Sequence, residues 1–102
     1  MKAQLTELRW SGARPDADAR GYHCEPPMPW TDWQDEPACH READYVIVSA
    51  AVVCGNPETY IFPAEMSPSG VVITSWGELS GSYRGGLDHE RALNSAGYLV
   101  VR

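Results

Sequence analysis

Prolines set the strongest limit on what this chain can fold into. Five of the eight prolines lie within residues 11–44, at Pro15, Pro26, Pro27, Pro29 and Pro37. Proline cannot occupy a helix interior and removes a backbone donor from any sheet, so this density excludes a long helix and disfavours a central strand. The segment also has no sustained apolar period. The sequence therefore predicts a long irregular segment over residues 11–44, with one helical turn at residues 30–34.

The chain changes character after residue 44. The run "YVIVSAAVVC" (45–54) is β-branched and apolar, which predicts a strand buried on both faces. Two turn-like tetrapeptides, "GNPE" and "SPSG", then separate it from two further strand-like stretches, "TYIFP" and "VVITSW". We expect these three strands to form an antiparallel meander, because short turns join neighbours in antiparallel sheets.

A short helix is predicted in "DHERALNSAGY". Asp88 is a favourable N-cap, and Glu90 places a carboxylate in the first turn, where it complements the helix dipole. Gly97 is predicted to end the helix, with Tyr98 folding back on it. A final strand follows at residues 98–101. Residues 3–10 are interpreted as a first strand, and one short helix is the alternative.

The predicted fold is therefore α+β, in a single domain of residues 1–102. It contains an antiparallel sheet of three to five strands, with the short C-terminal helix packed on one face. Residues 11–44 form the irregular acidic segment, and residues 45–102 hold the meander, the helix and the final strand. At 102 residues the core is expected to be thin.

Negative charge is concentrated in one segment. Residues 16–44 hold eight acidic side chains against two arginines, which accounts for the whole net charge of −6. Such a surface repels nucleic acid and anionic lipid and favours a protein partner with a basic surface. No apolar run approaches the ~20 residues that a membrane span needs, and no apolar leader follows the first methionine. We therefore expect a cytoplasmic protein.

Histidine and cysteine form a near mirror within the irregular segment. His23 and Cys24 stand at one end, and Cys39 and His40 at the other. These four side chains are of the types that bind zinc, and a zinc ion would stabilise a long loop in a small domain. Adjacent ligands are an unusual spacing, so a Cys24–Cys39 disulfide and ordinary loop residues remain the alternatives. Cys54 is interpreted as a small buried apolar residue.

Tryptophan and acidic residues alternate in "PWTDWQDEP". Trp30 and Trp33 are three residues apart, and Asp32, Asp35 and Glu36 surround them. Tryptophan is enriched at interface hot spots, and carboxylates complement a basic partner. These five residues are therefore the predicted partner-binding surface. The alternative is that both indoles fold back to cover the sheet.

Other stretches do not predict a reaction. The glycines of "SGSYRGGLDHE" precede a helix but lack the Gly-Lys-Ser/Thr ending of a phosphate-binding loop. No local motif frames a nucleophile, and His89, between Asp88 and Glu90, is interpreted as a solvated residue. The sequence therefore favours a protein that is not an enzyme, and it predicts no catalytic residue.

The C-terminal half resembles small uncharacterised proteins encoded by actinobacterial phages and prophages. The residues that carry the resemblance are "TYIFPA" (59–64), "WGELSGSYRGGLDHERAL" (76–93) and "AGY" (96–98), and it covers about residues 44–100. It implies a phage origin and a host-cell location but no activity. The resulting hypothesis is a phage accessory protein that acts by protein–protein interaction. The alternatives are a zinc-stabilised structural domain and a small enzyme of unidentified chemistry.

Overall fold

One mixed sheet and one short helix make up the part of the chain that the structure describes. The computed structural model describes residues 1–6, 18–33, 37–68, 70–75 and 77–101. Its elements are β1 (Lys2–Leu5), β2 (Asp18–Asp32), β3 (Cys39–Val53), β4 (Asn56–Ser67), β5 (Gly70–Ile73), β6 (Tyr83–Arg84), α1 (His89–Ser95) and β7 (Leu99–Val101). The expected α+β fold with three to five strands is wrong, because the described protein is mostly β and its sheet has seven strands.

The strands follow the order β5-β4-β3-β2-β1-β7. All neighbours are antiparallel except β1 and β7, which are parallel. The short β6 pairs with Glu58 and Thr59 of β4. It lies on the same edge of β4 that pairs with β5 further along that strand. The parallel pair is possible because α1 carries the chain back across the sheet before β7.

The irregular segment predicted over residues 11–44 is also wrong where the structure describes it. Residues 18–32 and 39–53 form the two longest strands, and residues 30–32 are extended rather than helical. Pro26 and Pro27 lie at an irregularity where the register shifts between His23 and Met28. Beyond this irregularity, β3 is the only described neighbour of β2. On the other side of β2, the backbone N–H that a proline lacks would have no described strand to bond to. Residues 7–17 and 34–36 lie outside the described residues.

The predicted meander is confirmed in β3, β4 and β5. The turn between β3 and β4 contains two residues, Cys54 and Gly55, with φ angles of 51° and 82°. Two successive positive φ angles define the type I′ turn that suits the twist of a hairpin. Cys54 is exposed in this turn, so the prediction that it is buried is wrong.

The helix begins and ends where the sequence predicts. The Asp88 carboxylate accepts a hydrogen bond from the backbone N–H of Arg91 at 3.1 Å. Gly97 has a φ of 94°, and the N–H of Tyr98 donates to the carbonyl of Leu93 at 2.9 Å. This bond closes the last turn as a Schellman motif, which requires the left-handed conformation that glycine adopts without strain.

The core lies mainly between α1 and one face of the sheet. Its largest fully buried members include Tyr22, Val46, Val48, Ile61, Leu93 and Tyr98. A smaller cluster of Ile47, Ala64 and Val71 lies on the opposite face, because successive residues of a strand point to opposite sides. The Tyr98 hydroxyl donates to the carbonyl of Pro26 at 2.7 Å and so connects the end of α1 to β2.

Candidate functional site

The sheet divides into two arms at one end. Pairing between β3 and β4 stops at Tyr45 and Ala64. Beyond that point, within the described residues, β3 pairs only with β2 and β4 only with β5. We call these parts the β2–β3 arm (residues 28–32 and 39–44) and the β4–β5 arm (residues 64–67 and 70–73), and together the fork. The space between the arms is open to a ligand because no described strand fills it.

Two cavities lie at the fork. One of 460 Å³ lies between the β2–β3 arm and residues 77–80. The other, of 810 Å³, lies between the two arms. Four residues line both cavities: Trp30, Asp32, Arg41 and Glu42. Volumes of this size fall in the ~300–1,000 Å³ range of ligand pockets, so the fork is the candidate functional site.

The two tryptophans of the predicted partner-binding surface differ in burial. Trp30 is half-buried, packs against the main core and forms a wall of both cavities. Trp33 follows the last residue of β2, and 80% of its surface is exposed. A fully exposed indole contributes little to folding, whereas Trp30 contributes both to packing and to the cavity wall. Asp35 and Glu36 lie outside the described residues.

The charges at the fork are mostly negative. The carboxylate of Asp32 accepts from the guanidinium of Arg41, with Nε to Oδ2 at 3.1 Å. Of the described residues that line the cavities, one is an arginine, Arg41, and five are acidic: Asp32, Glu42, Asp44, Glu65 and Glu78. The exposed carboxylates of Glu42, Asp44 and Glu65 form no hydrogen bond or ion pair with any described residue. The fork is therefore a region of negative potential that attracts cations.

The predicted zinc ligands are placed in two separate pairs. Cys24 is buried in the core, whereas the ring of His23, on the opposite face, contacts that of Tyr45 at 5.0 Å. Cys39 pairs in register with Asp32, eight residues further along β2 from Cys24. Along β3, Tyr45, the partner of His23, is six residues from Cys39, so at about 3.3 Å per residue the pairs stand about 20 Å apart and a single ion cannot contact both. The described residues contain no group of three or more metal-binding side chains.

The three cysteines are free. Burial raises the pKa of the Cys24 thiol to about 12, and the nearby charge of Asp44 adds to the rise. The free Cys24 thiol is therefore neutral at physiological pH, which disfavours it as a nucleophile. Cys39 and Cys54 are exposed, on opposite ends of β3.

A second polar cluster lies outside the cavities. The Tyr60 hydroxyl donates to the buried carboxylate of Glu58, which raises the pKa of Tyr60. Arg84 donates to the same carboxylate, Nε to Oε1 at 3.1 Å, and stacks over the Tyr60 ring. The sequence signal was the alternation in "ETY", which places Glu58 and Tyr60 on one face. Because Arg84 lies on β6 and the other two residues lie on β4, the cluster holds β6 against β4. None of the three residues lines either cavity.

The prediction that His89 is solvated is wrong. Its side chain is buried at the start of α1, and Nε2 donates to the backbone carbonyl of Asp18 at 2.7 Å. The imidazole therefore connects the N-terminal end of α1 to the first residue of β2. His89 is not among the residues that line the two cavities.

Similarity to known proteins adds nothing to this geometry. Comparison of the chain with protein-family models, curated proteins and solved structures gave no match. The resemblance to phage proteins therefore stays a prediction. Among the residues that the structure describes, no helix has the length and apolar content needed to cross a bilayer.

Proposed function

We propose that this protein is a small binding module that recognises a protein partner with a basic surface through its fork. The observation that carries the proposal is the exposed indole of Trp33, next to a cavity walled by Trp30. Tryptophan is costly to leave in water and is strongly enriched at interface hot spots. Trp33 is therefore the proposed anchor of the contact.

Charge supports the choice of a basic partner. The unneutralised carboxylates of Glu42, Asp44 and Glu65 surround the fork on both arms. Such charges accelerate encounter with a basic surface and repel nucleic acid and anionic lipid. With the resemblance to phage proteins, they support an accessory protein that binds a host or phage protein in the host cytoplasm.

The geometry favours binding over catalysis. Among the described residues that line the cavities, a hydroxyl–imidazole contact joins Thr31 and His40, Oγ1 to Nδ1 at 3.2 Å. Both belong to a cross-strand pair, and the contact is exposed. Catalytic groups are tuned by burial and charged neighbours, whereas exposed cross-strand contacts of this kind are common in sheets.

Affinity capture with matched variants tests the proposal. Tagged wild-type protein, Trp33→Ala and Val52→Ala are compared in extract of an actinobacterial host, by quantitative mass spectrometry. Val52 is a suitable control because it is 52% exposed and lies near the opposite end of β3. Loss of a hot-spot tryptophan costs about 2 kcal/mol or more, so we expect at least ~30-fold less partner with Trp33→Ala and no change with Val52→Ala.

Two results would contradict the proposal. Equal recovery of the same proteins by wild type and Trp33→Ala would remove Trp33 as the anchor. Equal loss with both variants would show that the captured proteins respond to exposed apolar surface in general.

A further inference from the structure

The larger cavity has walls of two chemical kinds. Trp30 and Tyr45 supply aromatic rings, and Met66 supplies a thioether. Asp44 and Glu65 supply carboxylates from opposite arms. An aromatic wall combined with carboxylates is the combination that binds organic cations, because ring faces and carboxylates both attract positive charge.

The β3–β4 register places the two carboxylates at matching positions on the two arms. Tyr45 and Ala64 are the last cross-strand partners before the arms separate. Asp44 and Glu65 are each one residue further along, so they stand on opposite sides of the mouth of the cleft. Like charges at such positions repel each other, and neither carboxylate forms an ion pair within the described residues. A cation between them would relieve this repulsion.

We propose that this cavity receives an arginine or lysine side chain from an extended basic peptide of the partner. The inference rests on the proposed function and names the ligand class of the same site. The charged head lies between Asp44 and Glu65, and the aliphatic stem lies along Trp30 and Met66. The 810 Å³ volume leaves room for residues that flank the inserted side chain.

A metal ion fits these walls less well than a peptide does. Calcium and magnesium require six or more oxygen ligands, whereas much of this wall is aromatic or thioether. Nucleic acid and anionic lipid carry the same sign of charge as the site. An organic cation with an apolar stem matches both the charge and the aromatic surface.

Calorimetric titration with a synthetic peptide tests the inference. The probe is an acetylated and amidated octapeptide of alternating arginine and serine, and its control carries citrulline in place of each arginine. Citrulline keeps the shape of arginine and removes its charge. We expect the arginine peptide to bind at least ~10-fold more tightly, with affinity that falls as salt is raised from 50 to 300 mM.

Protein variants then locate the site. Asp44→Asn/Glu65→Gln removes both carboxylates at the mouth, and Glu25→Gln/Glu90→Gln removes two charges outside the cavities. We expect about tenfold weaker binding of the arginine peptide with the first pair and less than a twofold change with the second. Trp30→Leu, checked for folding by circular dichroism, should also weaken binding by several-fold, because it removes the ring and keeps an apolar wall.

Specific outcomes would overturn the inference. Equal weakening by both double variants would show attraction to net charge rather than a site. Equal affinity for the citrulline peptide would show that no cation is recognised. If either occurs while Trp33→Ala still abolishes capture of the partner, the proposed function stands without this ligand. If the peptide binds as expected while Trp33→Ala captures normally, the ligand class stands and Trp33 is not the anchor.

Discussion

Two regions of the molecule are built in opposite ways: the fork, and the part of the sheet that α1 covers. We call the part that α1 covers the body. It comprises α1, β1, β7, residues 77–88 (which include β6), and the portions of β2, β3 and β4 that lie outside the two arms. In the body, the loop before α1 completes the edge of β4: Leu79 N–H donates to Ile61 O, and Ile61 N–H donates to the Ser82 hydroxyl, both at 2.8 Å. In the fork, each arm has two described strands, and the carboxylates of Glu42, Asp44 and Glu65 are exposed.

This difference indicates how a small domain divides its tasks. A two-stranded ribbon is marginally stable alone, so each arm depends on the body for its conformation. Met28 and Ala43 anchor the β2–β3 arm to the main core, and Trp30 packs against the same core. Stability is therefore concentrated in the body, which leaves the arms able to carry exposed aromatic and acidic side chains.

The largest expected effect is at Gly81, where the loop of the body crosses α1. Gly81 has a φ of 102°, and an added Cβ would lie 2.4 Å from the carbonyl oxygen of Ala92. Gly81→Ala therefore combines backbone strain with a clash that the helix cannot avoid, and we expect a loss of about 3–5 kcal/mol in the free energy of unfolding. Urea denaturation measures it.

Gly85→Ala is the matched control for this clash. Gly85 has a similar φ of 107°, but an added Cβ would meet no atom within 4 Å. We expect a loss of about 1–2 kcal/mol from backbone strain alone. Equal losses for the two variants would show that the contact between the loop and α1 does not hold the body together.

The two tryptophans test the division within the fork itself. Trp30→Ala removes a half-buried side chain that packs on the core, and we expect a loss of about 2–3 kcal/mol in stability. Trp33→Ala removes a side chain that is 80% exposed, and we expect a change within about 0.5 kcal/mol. Chemical denaturation of both variants measures the difference. A comparable loss at Trp33 would make it a packing residue and weaken its role as an anchor.

Alkaline pH is expected to act on the body through Cys24. The thiol pKa rises from its ordinary 9.0 to about 12 in the folded protein, because burial disfavours the thiolate. Above pH 9 the unfolded chain loses this proton first, so stability declines as pH rises from about 9 toward 12. At about pH 10.5 the loss from Cys24 is ~2 kcal/mol.

Denaturation of wild type and Cys24→Ala at pH 8 and about pH 10.5 checks this contribution. We expect Cys24→Ala to lose less stability between the two pH values than wild type does. Tyr22 and Tyr98, whose pKa values are also raised by burial, titrate in both proteins, and in wild type the charge of Cys24 adds to the rise at Tyr98. The same alkaline loss in both would show that the Cys24 thiolate is accommodated in the folded core.

Local sequence signals predicted the helix and the meander better than β2. The helix was predictable because Asp88 and Gly97 determine its ends within a few residues. The meander was predictable because its apolar strands are joined by short turns. In contrast, β2 was missed because the tolerance of a strand for proline depends on which of its edges is paired. That is a property of the assembled sheet: Pro26 and Pro27 lie past the last residue of β2 that pairs with β1 and within the irregularity of the β2–β3 register.

The candidate site was only partly predictable for a similar reason. The composition around Trp30 and Trp33 indicated a binding surface, but exposure differs between two residues only three positions apart. Asp44 and Glu65 are twenty-one positions apart in the chain, and only the end of the β3–β4 pairing brings them to one cleft. The distance between Cys24 and Cys39 likewise follows from the β2–β3 register.

The smallest expected effect lies at the end of the sheet furthest from the fork. Cys54 occupies the first position of the type I′ turn with a φ of 51°, a conformation in which asparagine is more favourable than cysteine. Its side chain is exposed, so Cys54→Asn removes no core contact. We expect a gain of about 0.5–1 kcal/mol in the free energy of unfolding, measured by urea denaturation under reducing conditions. Peptide binding at the fork should be unchanged, because the substitution stabilises the hairpin without touching the arms. A loss of stability would show that the thiol makes a contact that its exposed position in the turn does not suggest.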